Sequence, residues 1–188
     1  MKYLALAFSL LPFALPAQTQ LGVHEHGFGQ LNLVLDGEQL VLVLNAPAAD
    51  IVGFEHQAET EQDQASLAAS LARVRQADTL FSPATAAQCR LGEVVLGDAS
   101  HDEHEGHEGH EGHEGHEGHE EHDADGEQGH NDITVHYYYH CANPTALNGL
   151  DVTLFDLYPS LERLDVQAIV PTGQLATTLT PSQPRIHW

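Results

Sequence analysis

The stretch LNLVLDGEQLVLVL, residues 31–44, decides the fold class of this chain. It contains two apolar runs, 31–35 and 40–44, which flank the dipeptide Asp36-Gly37. Short apolar runs bounded by turn residues are typical of buried strands. An Asp-Gly pair supplies the positive φ angles of a two-residue type I′ turn. The sequence therefore predicts a β-hairpin at this position.

Further strands are predicted after this hairpin in the sequence. The runs 164–170 and 174–180 flank Pro171-Thr172-Gly173, which predicts a second hairpin. Single strands are predicted at 90–96 and at 133–141, and the second of these is rich in β-branched and aromatic residues. Each half of the chain thus contains one hairpin and one strand.

A helix is predicted over about residues 61–77. The stretch Thr60-Glu61-Gln62-Asp63 resembles a capping box in which Asp replaces the usual Glu. Behind it, Leu67, Leu71 and Val74 recur at the spacing of one helix face, within a frame rich in alanine. The apolar stripe is expected to face the core.

Composition divides the chain into four segments. Lys2, an apolar run and Pro16-Ala17-Gln18 together predict a Sec-type secretory signal peptide. No later segment has the roughly 18 to 20 apolar residues that span a bilayer, so we expect no membrane insertion. We predict an α/β (α+β) fold with two small pseudo-symmetric domains, bridged by a disordered tract rich in His, Asp and Glu. The segments are the signal peptide 1–17, an N-terminal α/β half 18–97, the tract 98–132 and a C-terminal α/β half 133–188.

The tract holds nine of the fifteen histidines, most of them in five consecutive Glu-Gly-His triplets over residues 105–119. Neutral imidazole nitrogen and carboxylate oxygen are donors that suit Zn²⁺, and Ni²⁺ or Cu²⁺ suit the same donors. A glycine at every third position and repelling like charges predict disorder in the metal-free state. The candidate metal ligands in the tract are His101, His104, His107, His110, His113, His116, His119, His122 and His130.

The spacing of these histidines does not create a preset site. In a polyproline II conformation, successive histidines of the triplets would lie about 9 Å apart. Tetrahedral zinc needs its donors about 2.0 to 2.1 Å from the ion, so metal must bend the chain.

The formal net charge of the chain is −22, which excludes nucleic acid and anionic membranes as partners.

The two cysteines, Cys89 and Cys141, lie on either side of the tract. In an exported protein they are expected to form one disulfide, which would tie together the base of the tract. Closing a loop of this length stabilises a fold by roughly 4 kcal/mol in the chain-entropy model. Two buried free thiols are the alternative.

Two pairs of histidines outside the tract are candidate metal ligands. In an extended segment alternate residues face the same way, so His24 and His26 would project together near the mature N-terminus. His136 and His140 would share one face of the predicted strand and lie near the root of the tract. The alternatives are an exposed polar arm for the first pair and two ordinary surface histidines for the second.

His56 follows Gly53-Phe54-Glu55 directly before the predicted helix. It is a further candidate ligand, or else a residue that only begins the helix.

Enzymatic motifs are missing from the sequence: there is no His-Glu-x-x-His, no Gly-x-Ser-x-Gly, no phosphate-binding loop and no Cys-x-x-Cys. A zinc hydrolase built from His24, His26 and His136 is conceivable, but we expect no enzyme.

Four segments of the sequence are characteristic when taken together: His24-Glu25-His26-Gly27, residues 45–50 running into Gly53-Phe54-Glu55-His56, the tract, and Cys141-Ala142-Asn143-Pro144. In this order they resemble the ZrgA-like family of zinc-regulated periplasmic proteins of Gram-negative bacteria. The resemblance covers nearly the whole mature chain and implies a pseudo-two-fold pair of α/β domains that bind zinc and take part in zinc acquisition. It also implies His24, His26, His56, His136 and His140 as ligands.

The favoured hypothesis is a periplasmic protein that captures Zn²⁺ and passes it to a zinc importer of the inner membrane. The alternative is a periplasmic buffer or detoxification protein for Ni²⁺, Cu²⁺ or Zn²⁺, since the Irving–Williams order favours Cu²⁺ over Zn²⁺ at such ligands. A third hypothesis makes the tract a flexible acidic spacer between interaction modules. Induction by zinc starvation would support the first hypothesis, and induction by excess metal the second.

Overall fold

The computed structural model of the protein describes residues 25–97 and 132–188. The predicted signal peptide, His24 and the tract histidines lie outside these residues. The described part has the predicted mixed α+β class and consists mostly of strands. The strands are β1 (Phe28–Asp36), β2 (Gln39–Pro47), β3 (Phe81–Pro83), β4 (Cys89–Leu96), β5 (Asp132–Cys141), β6 (Gly149–Val152), β7 (Arg163–Val170), β8 (Gly173–Leu179) and β9 (Arg185–His187), and the helices are α1 (Ala48–Ile51), α2 (Glu61–Val74) and α3 (Leu154–Leu157).

The strands form two sheets, and each sheet contains strands from before the tract and strands from after it. The larger sheet has the strand order β4-β5-β2-β1-β7-β8, and the smaller has the order β3-β6-β9. In the larger sheet β1 and β7 run parallel, and the other neighbouring strands are antiparallel. Asp132, which we placed in the tract, is the first residue of β5. Within the described ranges, no helix is long and apolar enough to cross a membrane.

Both predicted hairpins are confirmed, as β1–β2 and β7–β8. The predicted type I′ turn at Asp36-Gly37 is wrong by one position. Asp36 still pairs with Gln39, so Gly37 and Glu38 form the two-residue loop. Gly37 has a φ of 55°, whereas Glu38 has no positive φ. A single glycine at the first loop position is the pattern of a type II′ turn.

The core lies against one face of the larger sheet. Leucines at alternate positions of β1 and β2 point to this face and are buried, and β5 and β7 add further apolar side chains. Residues of the smaller sheet belong to the same cluster. The period-two alternation in the sequence therefore sets which face of the sheet is covered. The buried apolar residues of these four strands include Leu31, Leu33, Leu35, Leu40, Leu42, Leu44, Ala46, Val135, Tyr137, Tyr139, Cys141, Leu164, Val166, Ala168 and Val170.

Helix α2 confirms the predicted start and the predicted apolar stripe. The Oγ1 atom of Thr60 accepts a hydrogen bond from the N–H of Asp63 (3.1 Å), which caps the helix as the sequence indicated. Val74 is buried and Leu71 packs against the core. The helix ends at Val74, three residues earlier than predicted. There the Tyr137 hydroxyl donates a hydrogen bond to the Val74 carbonyl (2.8 Å).

Replacing Tyr137 with Phe is expected to lower the free energy of unfolding by about 1 to 2 kcal/mol at neutral pH, because the buried Val74 carbonyl loses its donor. Burial raises the pKa of Tyr137 above its ordinary value. In the unfolded chain the Tyr137 hydroxyl loses its proton above about pH 10, whereas in the folded protein it keeps it. The stabilisation that the neutral hydroxyl provides is therefore present below that pH and is lost as the pH rises above it. Denaturant titrations at pH 7 and above pH 10 should therefore show the difference between wild type and Tyr137→Phe shrinking with pH. A constant difference would contradict this explanation.

Strands β4 and β5 are antiparallel neighbours, and the tract lies between them in the sequence. Leu96 pairs with Val135 at the end of the strands next to the tract, and Cys89 pairs with Cys141 at the other end. The predicted disulfide Cys89–Cys141 is confirmed. Its predicted position at the base of the tract is wrong, because the antiparallel register places it at the far end. We call the two ends of the larger sheet the tract end, with Leu96 and Asp132, and the disulfide end, with Cys89 and Cys141.

Candidate metal centre

The candidate histidines are spread along the whole length of the larger sheet. His26 directly precedes Gly27 and β1, whose first residues pair with the start of β7 at the tract end. His136 pairs with Val43 in mid-sheet, and His140 pairs with Gln39 at the disulfide end. A strand rises about 3.3 Å per residue, so the tract end and His140 are separated by roughly 26 Å. The candidates therefore cannot form one site together.

His136 and His140 share the solvent-facing side of β5, as predicted, since the intervening Tyr137 and Tyr139 are buried. Four residues of strand place them about 13 Å apart, which is too far for both to bind one ion. The expectation that both lie near the root of the tract is wrong for His140. The imidazole of His136 stacks against Tyr138, with ring centroids 6.3 Å apart. Its Nε2 is buried and has no hydrogen-bond partner among residues 25–97 and 132–188.

His140 does have an acidic neighbour at the disulfide end. Its Nε2 lies 3.6 Å from Oε2 of Glu38, in the β1–β2 turn, and both side chains are more than half exposed. Arg90 is its direct partner on β4. A permanent positive charge on the neighbouring strand opposes the binding of a cation here.

At the tract end, His26 lies beside Glu55. The Nδ1 atom of His26 is 3.6 Å from Oε1 of Glu55. Two donors bound to one tetrahedral zinc ion, each about 2.0 to 2.2 Å from it, lie roughly 3.4 Å from each other. The pair is thus too widely spaced for a good hydrogen bond and close to the spacing that a shared zinc ion requires. The His26 side chain is 64% exposed and that of Glu55 is 24% exposed, so an ion can reach them from solvent.

The backbone around His26 is a turn and not the extended segment that we predicted. The N–H of Phe28 donates to the carbonyl of Glu25 (3.1 Å), and Gly27 has a φ of 82°. Only a residue without a Cβ adopts this conformation easily. His24, which was predicted to project beside His26, lies outside the described residues.

His56 follows Glu55 directly, and one of its ring nitrogens forms a hydrogen bond to the backbone. Its Nδ1 lies 2.9 Å from the Gln57 carbonyl, which can only accept, so Nδ1 carries the proton. This hydrogen bond leaves the lone pair on Nε2, the arrangement usual for histidines that bind zinc. The ring is exposed and stacks on Phe54, with centroids 4.6 Å apart.

The tract begins and ends near this histidine. A cleft of about 280 Å³ is lined by Glu55, His56 and Ile133, the second residue of β5. Ile133 also lines an adjoining depression with Gly97 and Asp132, the residues that flank the tract. The Gly97 N–H donates to the Thr134 carbonyl (2.9 Å), and this hydrogen bond joins the segment before the tract to the segment after it. The tract therefore leaves and re-enters the folded body beside the cleft that contains His56.

Across residues 25–97 and 132–188, no group of three or more His, Cys, Asp or Glu side chains is arranged to hold a metal ion. His26 and Glu55 could supply two donors to one ion, and a complete zinc site would need at least one more. Glu55 was not among the predicted ligands. The sequence contained a hint of it, because Glu55 is the acidic neighbour of His56 in Gly53-Phe54-Glu55-His56.

Comparison with known proteins agrees with this chemistry. A family model described as ZrgA family zinc uptake protein matches residues 23–188. The match includes His24, the His26–Glu55 pair, the tract and both cysteines. A search of curated proteins found no match to the chain.

Proposed function

The chain belongs to the ZrgA family of zinc uptake proteins, and we propose that it binds Zn²⁺ in the periplasm and passes it to an import system of the inner membrane. In this proposal zinc is the cargo and not a resident cofactor. His26 and Glu55 form the core of a fixed site, which His56 and His24 complete. The tract histidines bind additional ions. His136 and His140 lie too far from this site to take part in it.

The observation that carries the proposal is the 3.6 Å separation of His26 Nδ1 and Glu55 Oε1. Two further features support it. The tautomer of His56 leaves Nε2 free to bind metal, and the tract begins and ends at the neighbouring depression. Ions held weakly by many similar donors exchange quickly, and a site with a fixed pair of donors binds more tightly. The arrangement thus supports collection of zinc by the tract and retention at the fixed site.

Replacing His26 with Ala is expected to weaken the tightest zinc site by about 100-fold, because a ligand is removed. The affinity can be measured by titration against a chelator strong enough to keep the tract empty. His140→Ala is the matched control, because His140 has an acidic neighbour at the same 3.6 Å distance. Equal effects of the two substitutions, or no effect of His26→Ala, would refute the assignment of the fixed site.

Zinc occupancy is expected to fall as the pH is lowered from about 7.5 to 5, because imidazole must be neutral to bind metal and histidines ordinarily titrate near 6.5. Dialysis at fixed free zinc, followed by metal analysis, would measure this. Occupancy that stays constant across the range would argue against histidine ligation.

A further inference from the structure

A buried carboxylate lies directly behind the proposed site. Asp50, in α1, is only 7% exposed and is the one charged side chain that is buried within residues 25–97 and 132–188. Burial of a carboxylate costs several kcal/mol unless hydrogen bonds compensate for it. The position of Asp50 therefore requires a specific partner.

That partner is the peptide group that joins His26 to Gly27. The Gly27 N–H donates to Oδ2 of Asp50 at 2.7 Å, a short hydrogen bond to a charged acceptor. On the other side, the Gly27 carbonyl accepts from the N–H groups of Glu162 (2.8 Å) and Arg163 (2.9 Å). The backbone beside His26 is thus held from both sides, although His26 itself is exposed.

Asp50 also belongs to the same short segment as the second donor. Glu55 follows it by five residues, beyond the end of α1. The α1 backbone is anchored in turn, because the Ser160 hydroxyl donates to the Asp50 carbonyl (3.2 Å). One residue therefore connects the backbone that presents His26 with the segment that presents Glu55.

We propose that Asp50 is a positioning residue that holds His26 and Glu55 at zinc-binding distance before metal arrives. This rests on the proposed function of the His26–Glu55 pair. A preorganised pair loses less conformational entropy on binding than a pair carried by free segments. Asp50 is not a ligand, because its Oδ2 is directed to the Gly27 N–H.

The test is a set of variants of the full-length protein, titrated with zinc against a chelator. Asp50→Ala is expected to weaken the tight site about tenfold, as loss of a group that orients a ligand does. Asp50→Asn keeps an oxygen that can accept from Gly27 and should restore most of the affinity. Ser160→Ala removes one anchor of α1 but keeps the Gly27 hydrogen bond, so it should weaken the tight site by less than Asp50→Ala does.

The double variant Asp50→Ala/His26→Ala separates the possible outcomes. If Asp50 acts through His26, the double variant binds no more weakly than His26→Ala alone. Additive effects, or normal affinity in Asp50→Ala, would overturn the role of Asp50 while leaving the site intact. No effect of His26→Ala would instead refute the site itself.

Amide hydrogen exchange in the wild type tests the same idea without relying on the folding of a variant. The Gly27 amide is expected to be protected in the zinc-free protein and to remain so with zinc. Protection that arises only when zinc is added would show that the pair is not preorganised.

Discussion

A variant in which about four Gly and Ser residues replace 98–131 should lose more than half of its bound zinc and retain one tight site. All nine tract histidines are removed by this change, whereas His26, Glu55 and His56 remain. The fold should survive, because β4 and β5 are adjacent antiparallel strands whose ends meet at the Leu96–Val135 pair. A short loop can therefore join them. Calorimetry and metal analysis would give the stoichiometry and the affinity of the remaining site.

A second variant, with the nine tract histidines replaced by Ser, is the matched control. It keeps the length and the acidic residues of the tract, so it separates metal binding from a spacer function. We expect it to lose as many ions as the linker variant. Loss of all zinc binding in either protein would show that the folded body has no site of its own. An unchanged stoichiometry would show that the tract does not bind the ions.

Repeating the calorimetry of the linker variant with Ni²⁺ and Cu²⁺ separates acquisition from buffering. Imidazole and carboxylate donors bind Cu²⁺ more tightly than Zn²⁺ at any unconstrained site. Preference for zinc must therefore come from the fixed geometry around His26 and Glu55. A remaining site that holds all three metals without discrimination would favour the buffer hypothesis.

The local features of the fold could be predicted from the sequence, because they depend on residues close together in the chain. The apolar runs 31–35 and 40–44 around a turn predicted both strands of the first hairpin, and Thr60 with Asp63 predicted the start of α2. The parallel pairing of β1 with β7 joins residues more than 130 positions apart, and no local pattern encodes it. The end of α2 also escaped prediction, since the hydroxyl at Val74 comes from Tyr137 in a distant strand.

The same distinction applies to the site. That His136 and His140 share a face follows from strand periodicity and could be predicted. The approach of His26 to Glu55 depends on a turn before β1 and on the position of α1, so it could not. Likewise, the order of the cysteines in the sequence placed the disulfide beside the tract. Only the register of β4 with β5 shows that it lies at the opposite end.

Removal of the disulfide by Cys89→Ser/Cys141→Ser is expected to lower the free energy of unfolding by about 4 kcal/mol, the chain-entropy value for a loop of 52 residues. Most of that loop is the tract. In the linker variant the loop shrinks to about 22 residues, and the same substitutions should then cost only about 3.4 kcal/mol. Equilibrium denaturation of the four proteins would measure both differences.

The position of the disulfide also predicts how its removal affects zinc binding. Cys89 and Cys141 lie at the far end of the sheet from His26, so their loss should reduce stability without altering zinc affinity while the protein remains folded. Chelator titration well below the unfolding midpoint would test this. A disulfide variant with a weakened tight site would mean that the two ends of the sheet are coupled, or that the site lies near His140. An equal loss of stability in the long-loop and short-loop proteins would instead show that the bridge does not act through the entropy of the tract.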